Sequence, residues 1–380
     1  MSVTEFTDRL LEAVGEDRHD AGIMIEAKYR APGGKVMPPS FPNGPYLYEP
    51  ADVREGEPRV VILDQVPSQA NRVEEALLAA RDRGLLGLPL FELTAKTTRG
   101  DLRLTSLEFP HRYADAYLRD SLVGGVRFDA SDVGKRLRMA DTKDASPLFE
   151  RDPVSLILGA WDSHRKGRWP KFARVYQSEM TGLDPREGAR RGTRMDPWNL
   201  TGGADDATKA ESDWKYSPGA ASDFPKAQRL SAIGHGNIAP QDAHGGVAIS
   251  SARRSAWLSL AGLERLRFGP ASAEAAQLAR GCLAALSLAA DRLAFDHPSV
   301  WLRSGCDLIR TSEVIAFERD GGEREEFRLG ATDAIAVFEE LRDRARDAGL
   351  AMPTDVIALE PVPDLLKAIE YSLTKASEEE

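Results

Sequence analysis

The polar side chains at positions 68–72 could bind a phosphate. Ser68, Gln69, Asn71 and Arg72 follow the apolar run VVIL at positions 60–63, which is typical of a strand buried on both faces. Apolar residues then recur at helical spacing up to Gly84, so the four side chains fall in the first turn of a predicted helix. Hydroxyl, amide and guanidinium groups beside unpaired helix N–H groups favour anion binding. The alternative is structural, because Ser and Asn cap helices and Arg72 could form a surface salt bridge.

A second group with binding chemistry lies between positions 161 and 176. Cations and aromatic rings alternate there, and single-stranded nucleic acid is bound by such mixtures: cations contact phosphates, and each base that stacks on a ring contributes ~1 to 3 kcal/mol. A solvated basic face with its rings turned into the core is the structural alternative. The cations are Arg165, Lys166, Arg168, Lys171 and Arg174, and the rings are Trp161, Trp169, Phe172 and Tyr176.

His111 and Arg112 stand at the start of a helix that the sequence predicts from Pro110. Arg112, Asp115 and Arg119 would share one face of that helix. They either form ion pairs within the helix, each worth about 0.2–0.5 kcal/mol, or face RNA.

Residues 184–230 combine weak hydrophobic periodicity with much Gly, Asp, Pro and Ser. A loop of that length is unusual inside a compact domain, so we expect a projection or a lid that orders on binding. Its cations include Arg190, Arg191 and Arg194. The next segment places His235 and Asn237 among glycines, which permit either close approach of a ligand or tight turns beside the strand GVAIS.

The sequence does not indicate metal or cofactor chemistry. Six histidines are scattered singly, and the two cysteines lack the spacing of a zinc site. We therefore expect no metal and no cofactor. The enzymatic alternative is a metal-independent endoribonuclease built from His111, His164 or His235 with a Lys or Arg, if the fold brings two such groups together. A third possibility is a small-molecule enzyme that uses the glycine-rich loop at His235.

The charge of the chain is unevenly distributed. The 380 residues carry a net charge of −10 in total. From position 164 to 194, nine basic residues stand against three acidic ones, which is +6; from position 312 to 380, eight stand against eighteen, which is −10. This asymmetry predicts one face for a polyanion and another for protein neighbours. No apolar run approaches the ~20 residues of a membrane span, and the N-terminus is too acidic for a signal peptide, so we expect a cytoplasmic location.

Hydrophobic patterns predict the remaining elements. They indicate helices at 4–15, 254–268, 272–295 and 332–348, with strands at 23–29 and 153–161. A further strand and helix close the chain after position 355, and Asp320-Gly321-Gly322 is a predicted hairpin turn.

Six segments, taken in order, resemble the CRISPR-associated backbone subunits of Cascade-type complexes, the Cas-seven family of the RAMP superfamily. The resemblance is strongest to the type I-G subfamily, formerly type I-U, and it covers positions 63 to 308. The segments are DQVPSQANRVEEAL (64–77), LTSLEFPHRYADAYLRDS (104–121), SLILGAWDSH (155–164), IGHGNIAP (233–240), GGVAIS (245–250) and LRSGCDL (302–308).

This resemblance implies an α+β fold, namely a modified RRM-like (ferredoxin-like) palm with large insertions. A single such domain would span residues 1–380. Residues 184–230 would form a thumb-like projection, and the acidic residues 312–380 would pack on the palm.

The resemblance also implies a non-catalytic function and a set of partners. Several copies of the chain would line up along one CRISPR RNA, holding its backbone so that its bases pair with a target DNA strand. Other partners would be the large subunit and the guide-end-binding subunits of Cascade. By similarity, Ser68, Gln69, Asn71 and Arg72 would contact the guide. The shared signatures add His111 with Arg112, Trp161 with Ser163 and His164, and His235 with Asn237.

Overall fold

The structure, a computed structural model, divides the chain into two compact units. Unit 1 comprises Met1–Pro185 and Ile249–Lys367, and unit 2 comprises Arg186–Ala248 and Ala368–Glu380. The residues that the structure describes are 2–42, 44, 46–50, 59–161, 170–198, 200, 207–208, 215–216, 227–228 and 230–378.

Helices and strands are interspersed along the described part of the chain. The helices are α1 (Val3–Ala13), α2 (Val66–Asp82), α3 (Ala116–Arg119), α4 (Asp132–Arg138), α5 (Ser146–Arg151), α6 (Pro153–Leu158), α7 (Leu260–Glu264), α8 (Ala273–Phe295), α9 (Ala331–Asp347) and α10 (Pro363–Glu378). The strands are β1 (Asp20–Arg30), β2 (Lys35–Val36), β3 (Tyr48–Pro50), β4 (Arg59–Asp64), β5 (Leu90–Thr97), β6 (Gly100–Thr105), β7 (Ser121–Val123), β8 (Val126–Arg127), β9 (Ala160–Trp161), β10 (Lys171–Phe172), β11 (Tyr176–Leu183), β12 (Arg186–Arg194), β13 (Ala207–Thr208), β14 (Ala227–Gln228), β15 (Ile238–Ala248), β16 (Ser251–Ser259), β17 (Ser299–Arg303), β18 (Cys306–Arg319), β19 (Arg324–Phe327) and β20 (Val356–Pro361).

An eight-stranded antiparallel sheet forms the centre of unit 1. Its strand order is β17-β18-β1-β16-β11-β4-β3, and β19 also pairs with β18. In β1 the buried residues Ile23, Ile25 and Ala27 alternate with more exposed ones, as expected for a sheet with one face on the core. Helix α8 contacts α1, α2 and α9, and most of its alanines and leucines are buried.

A second sheet in unit 1 has the order β6-β5-β20-β7-β8. In this sheet β20 runs parallel to β5 and antiparallel to β7. In unit 2, β12 pairs antiparallel with β15, and β13 pairs with β14. The α+β class is confirmed by this combination of helices with mixed sheets. None of the described helices is long and apolar enough to cross a membrane.

The predicted strand and helix around position 64 are confirmed. In β4 Val61 and Leu63 are fully buried, and α2 ends just before Gly84, which adopts a φ of 71°. The predicted side-chain cap is wrong, because Gln65 occupies the N-cap position and makes no cap hydrogen bond.

The strand predicted at 153–161 is wrong, because most of this segment is the helix α6. A short apolar run does not distinguish a buried strand from a buried helix. Two local features favour the helix here: Pro153 occupies its first turn, and the Asp152 side chain accepts a hydrogen bond from the Ser155 N–H at 3.2 Å.

The helix predicted at 254–268 is confirmed only for α7 (Leu260–Glu264), and the helix predicted from Pro110 is wrong. In the first region, residues 254–259 belong to the strand β16, in which Arg254, Ala256 and Leu258 are buried on one face. The second is a single 3₁₀ turn, Arg112–Ala114, followed by the short α3. Arg112 has a φ of 52°, in the left-handed region, and a regular helix does not continue through such a residue.

Candidate nucleic-acid interface

A surface cavity of about 520 Å³ in unit 1 brings together five of the predicted site residues. His111, Arg112, Trp161, Lys171 and Arg174 all line it, and every charged residue that the described part of the chain contributes to its lining is basic. Three other cavities of the described part each contain carboxylate side chains. The chemistry of this cavity therefore favours an anion.

Trp161 and Lys171 are positioned by a pair of short strands. Strand β9 pairs antiparallel with β10, so that Trp161 lies directly opposite Lys171. The Lys171 Nζ atom lies 5.3 Å from the centroid of the Trp161 ring, within the range of a cation–π contact. The Trp161 side chain is nevertheless 57% exposed. A flat ring and a cation are thus presented together at the surface.

Gly159 allows the segment of Arg174 to approach the end of α6. It has a φ of 80°, and a Cβ atom there would lie 2.9 Å from the Arg174 nitrogen and 3.1 Å from the Phe172 oxygen. Only glycine fits this combination of positive φ and close backbone contact without strain. The Val175 N–H donates to the Ile157 oxygen at 2.9 Å, which fixes the two segments side by side.

Arg112 has a positioning role in this structure. Its Nε donates to Glu74 Oε1 at 2.7 Å, its second terminal nitrogen to Glu74 Oε2 at 3.1 Å, and its first to the Gly159 oxygen at 3.0 Å. The Arg112 side chain is 14% exposed. Three of its donor contacts hold Gly159 and α2 in place, and its contact with RNA stays a prediction.

Burial dominates the ionisation of Glu74. It raises the pKa of Glu74 to about 7 from an ordinary value of 4.5, against the opposing charge and hydrogen bonds of Arg112. Because the folded protein then binds a proton that the unfolded chain has lost, this group stabilises the fold below pH 4.5 and loses that contribution as the pH rises through 7.

We expect the free energy of unfolding to fall between pH 4.5 and pH 7, by at most about 3 kcal/mol from Glu74. Urea unfolding followed by circular dichroism at several pH values measures this slope. The Glu74→Gln variant, which cannot ionise, should show a correspondingly shallower slope. An identical pH dependence in both proteins would contradict the assignment.

Three of the side chains predicted to bind a phosphate, those of Ser68, Gln69 and Arg72, surround Asp64. Its carboxylate is 1% exposed and accepts hydrogen bonds from Ser68 Oγ at 2.7 Å, Gln69 Nε2 at 2.6 Å and Arg72 Nε at 2.7 Å. Arg72 also donates to the Leu302 oxygen at 3.1 Å. Ser68, Gln69 and Arg72 therefore hold each other in place through Asp64, and their contact with RNA stays a prediction.

Asn71 and Arg72 differ in where they point. Asn71 is exposed on α2. Arg72 faces β17 and lines a separate cavity of about 280 Å³ with Trp301 and His297. Arg72 and Glu74 are two residues apart, hence about 200° apart around the helix axis. Arg72 therefore lies on the side of α2 away from Arg112 and the basic cavity.

A buried polar network extends from Gln69 into the core, and sequence reasoning missed it. Gln69 Oε1 accepts from Ser178 Oγ and from Arg254 Nε, each at 3.0 Å. The Arg254 side chain pairs in turn with Asp291, which also pairs with Arg292. The available signal was the pair Asp291-Arg292 within the apolar residues 281–295, because charges in such positions are rarely buried unless they are paired.

Five predicted residues belong to unit 2. Arg190 is exposed, and Arg191 pairs with Asp242 at 2.8 Å. Arg194 donates to the His235 oxygen at 3.0 Å, and Asn237 Oδ1 accepts from the Asp196 N–H at 2.6 Å.

Asp196 therefore organises the turns that carry His235 and Asn237. Hydrogen bonds from the backbone N–H groups of Leu200, Gly236 and Trp198 lower the pKa of Asp196. The side chains of His235 and Asn237 are both exposed on unit 2.

The remaining predicted residues lie outside the described part of the chain. They are Ser163, His164, Arg165, Lys166, Arg168 and Trp169. Among the described residues, no group of three or more His, Cys, Asp or Glu could hold a metal ion. Both cysteines are buried thiols, and burial raises the pKa of Cys306 to about 11.

A family model matches part of the chain. A family model described as CRISPR-associated protein GSU0053 matches residues 23–187. This range includes all described lining residues of the basic cavity and the Asp64 cluster, that is, Asp64 with Ser68, Gln69 and Arg72. The match confirms the predicted resemblance to a CRISPR-associated family. No curated protein matches the chain.

Proposed function

We propose that this chain, which matches a CRISPR-associated family over residues 23–187, is a non-catalytic subunit that binds CRISPR RNA. The observation that carries the proposal is the basic cavity, in which Trp161, Lys171, Arg174 and His111 meet and to which the described residues contribute no carboxylate. The resemblance to type I-G Cascade backbone subunits supports the finer assignment. In that role several copies would associate along one guide, with the large and guide-end-binding subunits and the target DNA strand as further partners.

Each side chain of the cavity has a defined task in this proposal. The exposed Trp161 ring stacks on a base, which for an aromatic platform contributes ~1–3 kcal/mol. Lys171 and Arg174 contact adjacent phosphates, and the Arg112–Glu74 pair fixes the Gly159 backbone beneath them. Because phosphate contacts carry no sequence information, such a subunit accepts guides of any sequence.

Replacing Lys171, which lies in β10, and Arg174, which follows β10, tests the proposal. We expect Lys171→Ala/Arg174→Ala to weaken binding of single-stranded RNA and to reduce the slope of log affinity against log salt by about 1.4, since each lost contact to a single strand removes ~0.7. Filter binding at several salt concentrations measures both quantities. A matched control is Arg346→Ala/Lys367→Ala, which removes the same charge at positions paired with Asp343 and Asp364.

The proposal fails if the cavity variant and the control variant give the same salt slope as the unmodified protein. The endoribonuclease alternative is tested in parallel by incubating the protein with labelled RNA in EDTA. Discrete cleavage products would support that alternative, whereas intact RNA in a series of complexes supports a binding subunit. Co-purification with a uniform short RNA, on expression beside a CRISPR array, would test the backbone assignment.

A further inference from the structure

A second basic cavity adjoins the first one in unit 1. It has a volume of about 440 Å³ and shares the wall formed by residues 171–174 with the cavity described above. Its remaining charged lining residues are Arg265 and Arg267, which follow helix α7. Neither arginine was among the residues that the sequence singled out, and neither belongs to the segments that carry the family resemblance.

The three arginines of this second cavity are exposed and form no ion pair within the described part of the chain. Arg174, Arg265 and Arg267 are all exposed, and among the described residues none of their side chains forms an ion pair with a carboxylate. Glu264, which precedes Arg265, pairs with Arg18 at 2.8 Å instead. Among the residues that the structure describes, none that lines this cavity is acidic.

The backbone that carries Arg265 and Arg267 is fixed from several sides. The Arg267 oxygen accepts from the Ala145 N–H at 2.7 Å, and the Gly269 N–H donates to the Lys143 oxygen at 3.1 Å. The Leu266 N–H donates to the Leu263 oxygen at 2.9 Å. The two guanidinium groups therefore extend from a rigid turn, which favours repeated contact with one ligand geometry.

A further positive charge lies beneath this turn. Arg280 is 8% exposed, and its Nε donates to the Leu266 oxygen at 3.4 Å. Burial and the nearby charge of Arg267 lower the pKa of Arg280, as expected where like charges are gathered. An anion in the cavity would relieve this repulsion.

We propose that Arg265 and Arg267 bind the phosphates of the same RNA strand that occupies the first cavity, so that the strand crosses residues 171–174. This inference rests on the proposed function and extends it to a path across unit 1. The shared wall makes one polyanion the simplest occupant, since Lys171 and Arg174 line both cavities. The neighbouring cation–π pair of Trp161 and Lys171 favours a nucleic acid over an acidic protein segment.

The length of the RNA separates this inference from the proposed function. Labelled oligouridylates of roughly 4 and roughly 12 nucleotides, within the range of known single-strand site sizes, serve as probes. For Arg265→Ala/Arg267→Ala we expect unchanged binding of the short probe. The longer probe should bind more weakly, with its salt slope reduced by about 1.4.

A matched control is Arg136→Ala/Arg138→Ala, which has the same spacing and charge change at positions paired with Glu150 and Asp129. It should leave both probes unaffected. Thermal unfolding confirms that each variant is folded, as expected for exposed side chains.

Three outcomes would overturn the inference about Arg265 and Arg267 and would leave the proposed RNA binding by the first cavity unaffected. The first is that the long probe keeps its full salt slope in Arg265→Ala/Arg267→Ala. The second is that both probes weaken equally. The third is that RNA binding is unchanged while self-association, measured by sedimentation velocity, is lost, which would assign the cavity to an acidic segment of a second copy. If the unmodified protein binds neither probe, the proposed function fails first.

Discussion

Replacing Asp291 with asparagine is expected to lower the free energy of unfolding by about 3–5 kcal/mol. The Asp291 carboxylate lies between Arg254 and Arg292, and all three side chains are fully buried. Burial opposes ionisation, yet the charges of Arg254 and Arg292 outweigh it and lower the pKa of Asp291 to about 2. Asparagine preserves the shape but leaves the buried Arg254 guanidinium without a counter-charge, and it leaves Arg292 with Glu313 as its remaining carboxylate partner at 2.7 Å.

Urea unfolding followed by circular dichroism measures this loss. The matched control is Asp296→Asn, since Asp296 pairs with Arg310 at 3.2 Å in a partly exposed position, and we expect it to cost less than about 1 kcal/mol. Similar losses for the two variants would show that the buried network is not a main support of the fold. Because Arg254 also donates to Gln69, the loss should extend to the Asp64 cluster.

The Arg112→Met variant is expected to lower the free energy of unfolding by up to about 3–5 kcal/mol at pH 8. Glu74 is 4% exposed, so a Glu74 carboxylate without Arg112 would be buried and unpaired. The loss should be smaller at pH 6, where burial already favours the protonated acid, whose pKa is raised to about 7. Urea unfolding at the two pH values measures the difference.

Two further variants control this prediction. Arg112→Met/Glu74→Leu should recover much of the loss, because replacing both members of a buried pair by apolar residues is often neutral. Arg103→Met removes an arginine that is 42% exposed and pairs with Asp82 and Glu92, and it should cost less than about 1 kcal/mol. Equal losses at pH 6 and pH 8 would contradict the role given to Glu74.

Arg112→Met also distinguishes a positioning residue from a phosphate ligand. If Arg112 acts through Gly159, its replacement at pH 6 weakens RNA binding without changing the salt slope. A slope reduced by ~0.7 would instead show a direct phosphate contact.

Local sequence patterns predicted several parts of this protein well. The run VVIL followed by helical spacing identified β4 and α2, because a buried strand and an amphipathic helix each leave a distinct periodicity. Patterns were insufficient for 153–158 and 251–259. Residues 153–158 are a short apolar run, and in residues 251–259 buried and more exposed side chains alternate, with Arg254 among the buried ones. The conformation of both segments depends on the elements packed against them.

The sequence by itself determined that Trp161, Lys171 and Arg174 form a basic and aromatic segment, because their chemistry is local. Only the tertiary structure decided which cations are available to a ligand. Arg72 and Arg112 are as basic as Lys171, but Asp64 and the Leu302 oxygen accept from Arg72, and Glu74 accepts from Arg112 across 38 positions of the chain. Arg265 and Arg267 are exposed beside the cavity because a turn fixed by α5 places them there. Charge is a property of the residue, whereas its neutralisation depends on burial and on partners that only folding brings together.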